Sequence, residues 1–167
     1  LDPGLGVFFM DLTVKHINPE LDFDEDGNIA RSGNVHEALL AEFLEYEYYK
    51  QESLPIGVGA EDFPESLYKK WRSRAQELNV SDIDLLTTLT ELTAKQIALA
   101  CAKFGGEHII NGATDDVLLR GGVCNNSYFV ERLRAQMSEQ LGVEVPRIKT
   151  LEDVNIDEES WENALYA

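Results

Sequence analysis

Apolar residues change their spacing along this chain from helical to strand-like, and the changes mark out its elements. After Gly6, the stripe Phe8, Phe9, Leu12 and Ile17 predicts a helix. Asn18-Pro19 stops it, because a residue before proline is pushed out of helical geometry. The acidic stretch "ELDFDEDGNIARSG" lacks apolar periodicity and reads as a loop. From about Val35 to Tyr49 the helical period returns, with Leu39, Leu40, Phe43, Leu44 and Tyr46 on one face. The stretch "ESLPIGVGAEDFPES" carries paired prolines and glycines and predicts a second loop. Leu67 to Leu78 predicts a helix that sets Trp71 beside Tyr68 and Ala75.

The strongest helical pattern is "NVSDIDLLTTLTELTAKQIALACAKF", with Leu85, Leu89, Leu92, Ile97 and Cys101 in register. Ser81 caps it, Asp84 stands where a capping box places its acidic partner, and Gly105-Gly106 end it. The period then shortens: "DVLLRGG" predicts a buried strand running into a glycine turn. "SYFVERLRAQMSEQLG" is an amphipathic helix closed by Gly142, and "VEVPRIKT" a second short strand with Pro146 near its start. "DEESWENALYA" begins a further helix without reaching a C-cap. Strands alternating with helices indicate a helix-rich α/β fold. The opening "LDPGLGVFFMD" has the apolar density of a fold interior, so both ends read as cuts through something larger.

Composition narrows the functional classes. With 167 residues and 44% hydrophobic content, residues 1–167 can fill a single core and read as one domain. A net charge of −17 would repel nucleic acid and anionic membrane alike, so neither is expected as a partner. No apolar run reaches the roughly 18 residues that a membrane helix needs. Cys101 and Cys124 lack CxxC spacing, which argues against a disulfide framework or zinc site and for a reducing, cytoplasmic setting.

Candidate chemistry lies in three places. Asp22, Asp24, Asp26 and Gly27 match the opening of a calcium-binding EF-hand loop, with Ile29 at its apolar position. Gly33 stands where the bidentate Glu belongs, so an acidic solvated turn is the better reading. In "LDPGLG", Gly4 and Gly6 precede a helix, where backbone can approach an anion and free N–H groups can face it. Asp2 would repel that anion and so suits a general base or a magnesium-side group. A plain strand-to-helix turn explains the same glycines equally well. In "LLRGGVCNNSYFVERL", Gly121 and Gly122 let a flat or anionic group lie against backbone, with Asn126 in position to hydrogen-bond it. His16, His36 and His108 are scattered without metal-ligand spacing, and no metal site is expected.

Taken in order, these segments resemble the anhydro-N-acetylmuramic acid kinases of the sugar kinase/actin superfamily. That family's "DTGPGN", followed by an apolar helix and Asp, is similar to "DPGLGVFFMD". Its "YDxDGxxAxxGxV" is similar to "FDEDGNIARSGNV", which accounts for the EF-like spacing, and its "LTELTAxSIA" to "LTELTAKQIALA". Its "GGGxxN" resembles "GGVCNN", and its "GIDxDxxEAxAFA" resembles "NIDEESWENALYA".

The resemblance implies a two-lobed actin-like (ribonuclease H-like) fold with ATP and sugar in the cleft. This chain would be most of the C-terminal lobe, truncated at both ends and lacking the N-terminal lobe with its phosphate loop. It implies that ATP, with Mg²⁺, phosphorylates the 6-position of a 1,6-anhydro amino sugar while water opens the ring. Asp2 matches the catalytic base. Gly4 and Gly6 match phosphate-binding positions, and Gly121, Gly122 and Asn126 nucleotide-binding ones. Asp157 and Glu162 match acidic positions of the last motif. Alone, the fragment is expected to be inactive, and an exposed interlobe face would favour homo-oligomers. The departures are Val7 for Asn, Val123 for the third Gly, Ile56 for Lys, Ala60 for Arg and Asn155 for Gly. Val123 would crowd a ligand and resist a positive φ. These changes leave open an altered substrate, or a catalytically inactive kinase-derived nucleotide-binding or scaffold domain.

Overall fold

The computed structural model describes residues 4–50, 62–104, 117–119, 121–141 and 148–150. Helix α1 (Phe8–Ile17) begins the described chain, followed by a 3₁₀ turn at Glu25–Gly27, α2 (Asn28–Arg31) and α3 (Glu37–Leu44). Helix α4 (Glu65–Glu77) and the long α5 (Asp82–Phe104) come next. Strand β1 (Val117–Leu119), a 3₁₀ turn at Gly122–Asn125, α6 (Ser127–Leu141) and β2 (Ile148–Thr150) close the order. The strands pair in parallel with Val117 opposite Ile148, so α6 lies on the crossover of a β-α-β unit.

Helix α5 is the axis, packed by α1, α2, α3 and α6. The expected single apolar stripe is too narrow a description of it, since every residue from Leu85 to Ala94 is buried. Its threonines make this tolerable by returning their hydroxyls to the helix itself. Thr88 Oγ1 donates to Asp84 O at 2.7 Å, Thr90 Oγ1 to Leu86 O at 2.9 Å and Thr93 Oγ1 to Leu89 O at 3.0 Å. Ser81 caps the helix as its position predicts, accepting from Asp84 N at 3.0 Å. Asp84 answers with its side chain, Oδ2 accepting from the Ser81 hydroxyl at 2.7 Å, while Oδ1 accepts from Asn34 N at 2.8 Å.

The apolar residues divide into two clusters along α5. The first gathers α1, α3 and α4 around Phe9, Phe43 and Trp71. Phe43 stacks on Trp71 with centroids 4.1 Å apart, and Phe9 meets Trp71 edge-on at 5.5 Å. The second joins the far half of α5 to Phe129, Leu133 and Met137 of α6 and to Leu119 and Ile148 of the strands. Helix α4 ends in a Schellman arrangement: Asn79, at φ 57, follows the cap, and Val80 N donates to Ala75 O at 2.9 Å.

Three expectations need correction. In α1 the buried face is Phe9, Met10, Thr13 and Val14, while Phe8 lies 46% exposed. The helix expected from Val35 to Tyr49 is shorter: His36 caps α3, accepting Leu39 N on Nδ1 at 3.2 Å, and the helix ends at Leu44. There the bonding tightens to Glu45 N–Glu42 O and Tyr46 N–Phe43 O, which turns Tyr46, Tyr48 and Tyr49 onto Phe63. The acidic stretch is not a plain loop, because Asp24 is buried and organises a helical turn. The expected stops at Gly105-Gly106 and Gly142, most of the second loop and the last helix lie outside the described residues.

Candidate functional site

A cleft of about 610 Å³ opens between α1, the acidic segment and the turn before α6. Met10 of α1 with Leu86 and Thr90 of α5 form its floor. Val7 and Asp11 line one wall, Phe23 to Asp26 a second, and Gly122, Asn125 and Asn126 the third. Its size falls within the range usual for small-molecule sites.

Each wall is held from behind. Asp24 accepts Ile29 N on one carboxylate oxygen and Ala30 N on the other, both at 2.9 Å, so it caps α2. Asp26 reaches across to α6, accepting Ser127 N at 2.9 Å, and the bonds from Ser127 hold its carboxyl below the usual range. Arg31 completes the clasp by donating to Glu131 Oε2 at 2.6 Å while lying 5.0 Å over the Tyr128 ring. Gly27 makes the approach possible: its φ is 70, and a Cβ there would stand 2.2 Å from Asn126 Oδ1.

The third wall is fixed by α6. Asn126 caps it, accepting Phe129 N at 2.8 Å on Oδ1, so its amide nitrogen is what it can offer a ligand. Gly121 is held at φ 86 and ψ −171, a conformation closed to other residues, and a Cβ on Gly122 would meet nothing within 4 Å. Behind the turn, Arg132 of α6 grips Glu91 of α5 through two bonds of 2.6 and 2.9 Å, and Gln136 Nε2 adds a third at 2.8 Å. Glu91 is only 4% exposed, so this pair locks α6 onto the central helix.

The first wall carries the titrating group. Burial pushes the Asp11 carboxyl up to about 6 against the attraction of Lys15, with Asp22 adding to the rise. No side chain caps α1, because Val7 occupies the N-cap. Just before it, Gly6 adopts φ 56 and its carbonyl accepts Thr93 Oγ1 at 3.3 Å, while Gly4 lies where a Cβ would be 3.2 Å from Tyr49 Cε1.

The residues singled out from sequence are therefore only partly gathered here. Gly122 and Asn126 line the cleft, and Gly121 adjoins them. Gly4 and Gly6 shape the turn into α1, whose Val7 lines it. Asp2, Asp157 and Glu162, with the departures Ile56, Ala60 and Asn155, lie outside the described residues. Val123 overturns its expected effect: it sits in the 3₁₀ turn without a positive φ and packs on the second apolar cluster. Asp11, Phe23 and Asp26 were missed as site residues. The EF-like spacing pointed at the acidic segment, but as a solvated turn, and Asp11 carried only the signal of a lone charge in an apolar helix start.

Comparison with known proteins accounts for the ordered motifs. The family profile for anhydro-N-acetylmuramic acid kinase matches residues 1–167. The chain belongs to this family. The anhydro-N-acetylmuramic acid kinase of Crocosphaera subtropica is 30% identical over 167 residues, covering 99% of this chain and 41% of that protein. That of Caldanaerobacter subterraneus subsp. tengcongensis is 29% identical over 99% of this chain and 40% of its own length. That of Rippkaea orientalis is 36% identical over 79% of this chain and 33% of its own. This anhydro-N-acetylmuramic acid kinase family chain thus spans about 40% of the length of these first two relatives. Among the described residues, no helix is long and apolar enough to cross a membrane.

Proposed function

We propose that this chain forms most of the C-terminal lobe of an ATP-dependent kinase that opens and phosphorylates a 1,6-anhydro amino sugar resembling anhydro-N-acetylmuramic acid. The observation that carries the reading is the cleft itself, where the uncapped N-terminus of α1 and the Gly121–Asn126 turn face one another. Those are the segments whose sequences resemble the family's phosphate and nucleotide motifs. The remaining lobe of the two-lobed actin-like fold would complete the site.

In this reading Asp2 takes a proton from water as the water oxygen attacks the anomeric carbon. The bond from that carbon to the sixth oxygen breaks, and the sixth oxygen accepts the γ-phosphoryl group of ATP. The products are ADP and the ring-opened sugar 6-phosphate. The N–H groups at the start of α1 and the Gly4–Gly6 turn stabilise charge on the transferring group. Magnesium, arriving on the phosphates, supplies charge neutralisation when bound. Among the described residues no group of His, Cys, Asp or Glu could by itself cage a metal. An ion held mainly by phosphate would suit such a site, and Asp11, which lines the cleft, would be the carboxylate to meet it. Gly121, Gly122 and the Asn126 amide hold the nucleoside end. Asp157 and Glu162 match acidic positions of the family's last motif and would mark a further site, with no role assigned to them.

The test is ATP-dependent phosphorylation of 1,6-anhydro-N-acetylmuramic acid by the protein of full family length, beside Asp2→Asn and a sample of this chain alone. Turnover that disappears in Asp2→Asn and is missing from the chain alone is the expected result. Undiminished turnover in Asp2→Asn would remove the base from the scheme. A second reading, nucleotide binding without turnover, is favoured by Val7, which leaves the N-cap of α1 without a hydrogen-bonding side chain. Bound ADP with no phosphorylated product would select it.

A further inference from the structure

Phe23 is the most exposed large apolar side chain of the described residues, at 61% against 46% for Phe8 and 38% for Leu21. A single exposed aromatic residue is ordinary on a surface. This one stands in the wall of the cleft, with Gly122 and Asn126 lining it too. Its backbone is anchored, since Asp24 is bound to two N–H groups of α2 and Asp26 is bound to Ser127. The chain on either side of Phe23 is thus fixed while the ring's own surface stays bare.

We infer that Phe23 is the stacking face for the nucleotide base, holding it against the open backbone of the Gly121-Gly122 turn. The inference rests on the nucleotide reading above and adds which end of the ligand lies where. Charge decides the orientation. Asp24, Glu25 and Asp26 line the same wall, where a phosphate chain would be repelled and a neutral base is not. Ribose hydroxyls can donate to exposed carboxylates there, while the N–H groups at the start of α1 receive the anionic end. Gly122 contributes by omission: with nothing within 4 Å of a Cβ position, the turn presents peptide planes on which a flat ring can lie. The Asn126 amide can donate to a ring nitrogen at the base edge.

The experiment is calorimetric titration of the protein with ADP, and separately with inorganic tripolyphosphate, which has no base. The variants are Phe23→Ala, Phe23→Leu and Phe23→Trp. Stacking predicts that Phe23→Ala and Phe23→Leu weaken ADP binding about tenfold, that Phe23→Trp retains it, and that tripolyphosphate binds all four proteins alike. Phe23→Leu keeps apolar bulk, so its loss of affinity separates stacking from general packing. Equal ADP affinity in all variants would overturn the stacking role and leave the nucleotide reading standing. Parallel loss of ADP and tripolyphosphate would also overturn it, by making Phe23 a support for the wall. No ADP binding by the unaltered protein would overturn both readings together.

Discussion

At Asp11 two electrostatic effects compete, and desolvation beats the attraction of Lys15, so the carboxyl titrates near 6. A folded-state value above the unfolded one means that folding favours the protonated acid. Stability from this group is therefore full at low pH and is lost as pH rises from about 4 through about 6. Asp11→Asn removes the charge and keeps the shape. It is expected to raise the free energy of unfolding by about 1–2 kcal/mol at neutral pH, a figure already reduced for solvent screening of a half-buried group. Thermal melts of both proteins should show that gap at about pH 8, about half of it at about pH 5 and its near disappearance at about pH 3. A gap independent of pH would place its origin in packing. The sequence marked Asp11 only as a lone charge in an apolar helix start, because its burial depends on the acidic segment and α5 closing on the same cleft.

At the scale of elements, the contact that matters most to the cleft is the grip of α6 on α5. Arg132 gives two bonds to Glu91, which is buried, and Gln136 divides its amide between Glu91 and Glu139. Glu91→Ala would leave the Arg132 guanidinium without its partner and is expected to cost about 3 kcal/mol. Replacing Arg132 with Met in the same protein should restore much of the loss, since the uncompensated charge is then gone. Urea denaturation of the single and double variants measures both. Additive losses would instead mean that the pair contributes no coupling. Helices α4, α5 and α6 and both strands were legible because their signals are local: periodicity, the Ser81 cap and β-strand density. Helix α3 was over-extended because Tyr46 keeps helical spacing, while its ring is claimed by Phe63, a residue reached only through the fold.

For the whole molecule, the net charge of −17 acts against compactness through self-repulsion. The described ion pairs are mostly exposed and add little. Raising salt from low to moderate concentration is thus expected to stabilise the protein by about 1 kcal/mol, or about 2–4 °C in melting temperature. Differential scanning fluorimetry across a sodium chloride series checks this. A falling melting temperature would show that attractive pairs outweigh the net repulsion.

The order of the longer elements, the apolar content of the core and the resemblance to the anhydro-N-acetylmuramic acid kinases were determined by sequence alone. Each rests on neighbours a few positions apart or on motifs read in series. Tertiary structure decided which of those motifs share a cleft. Asp26 caps α6 across 101 positions of sequence, and Gly27 is required by the side chain of Asn126. It also decided that Val123 packs inward, where its spacing had pointed at the ligand. The physical reason is the same in each case. A periodic pattern specifies which face of an element is apolar, whereas a site forms where several elements approach, and that approach is set by packing around α5.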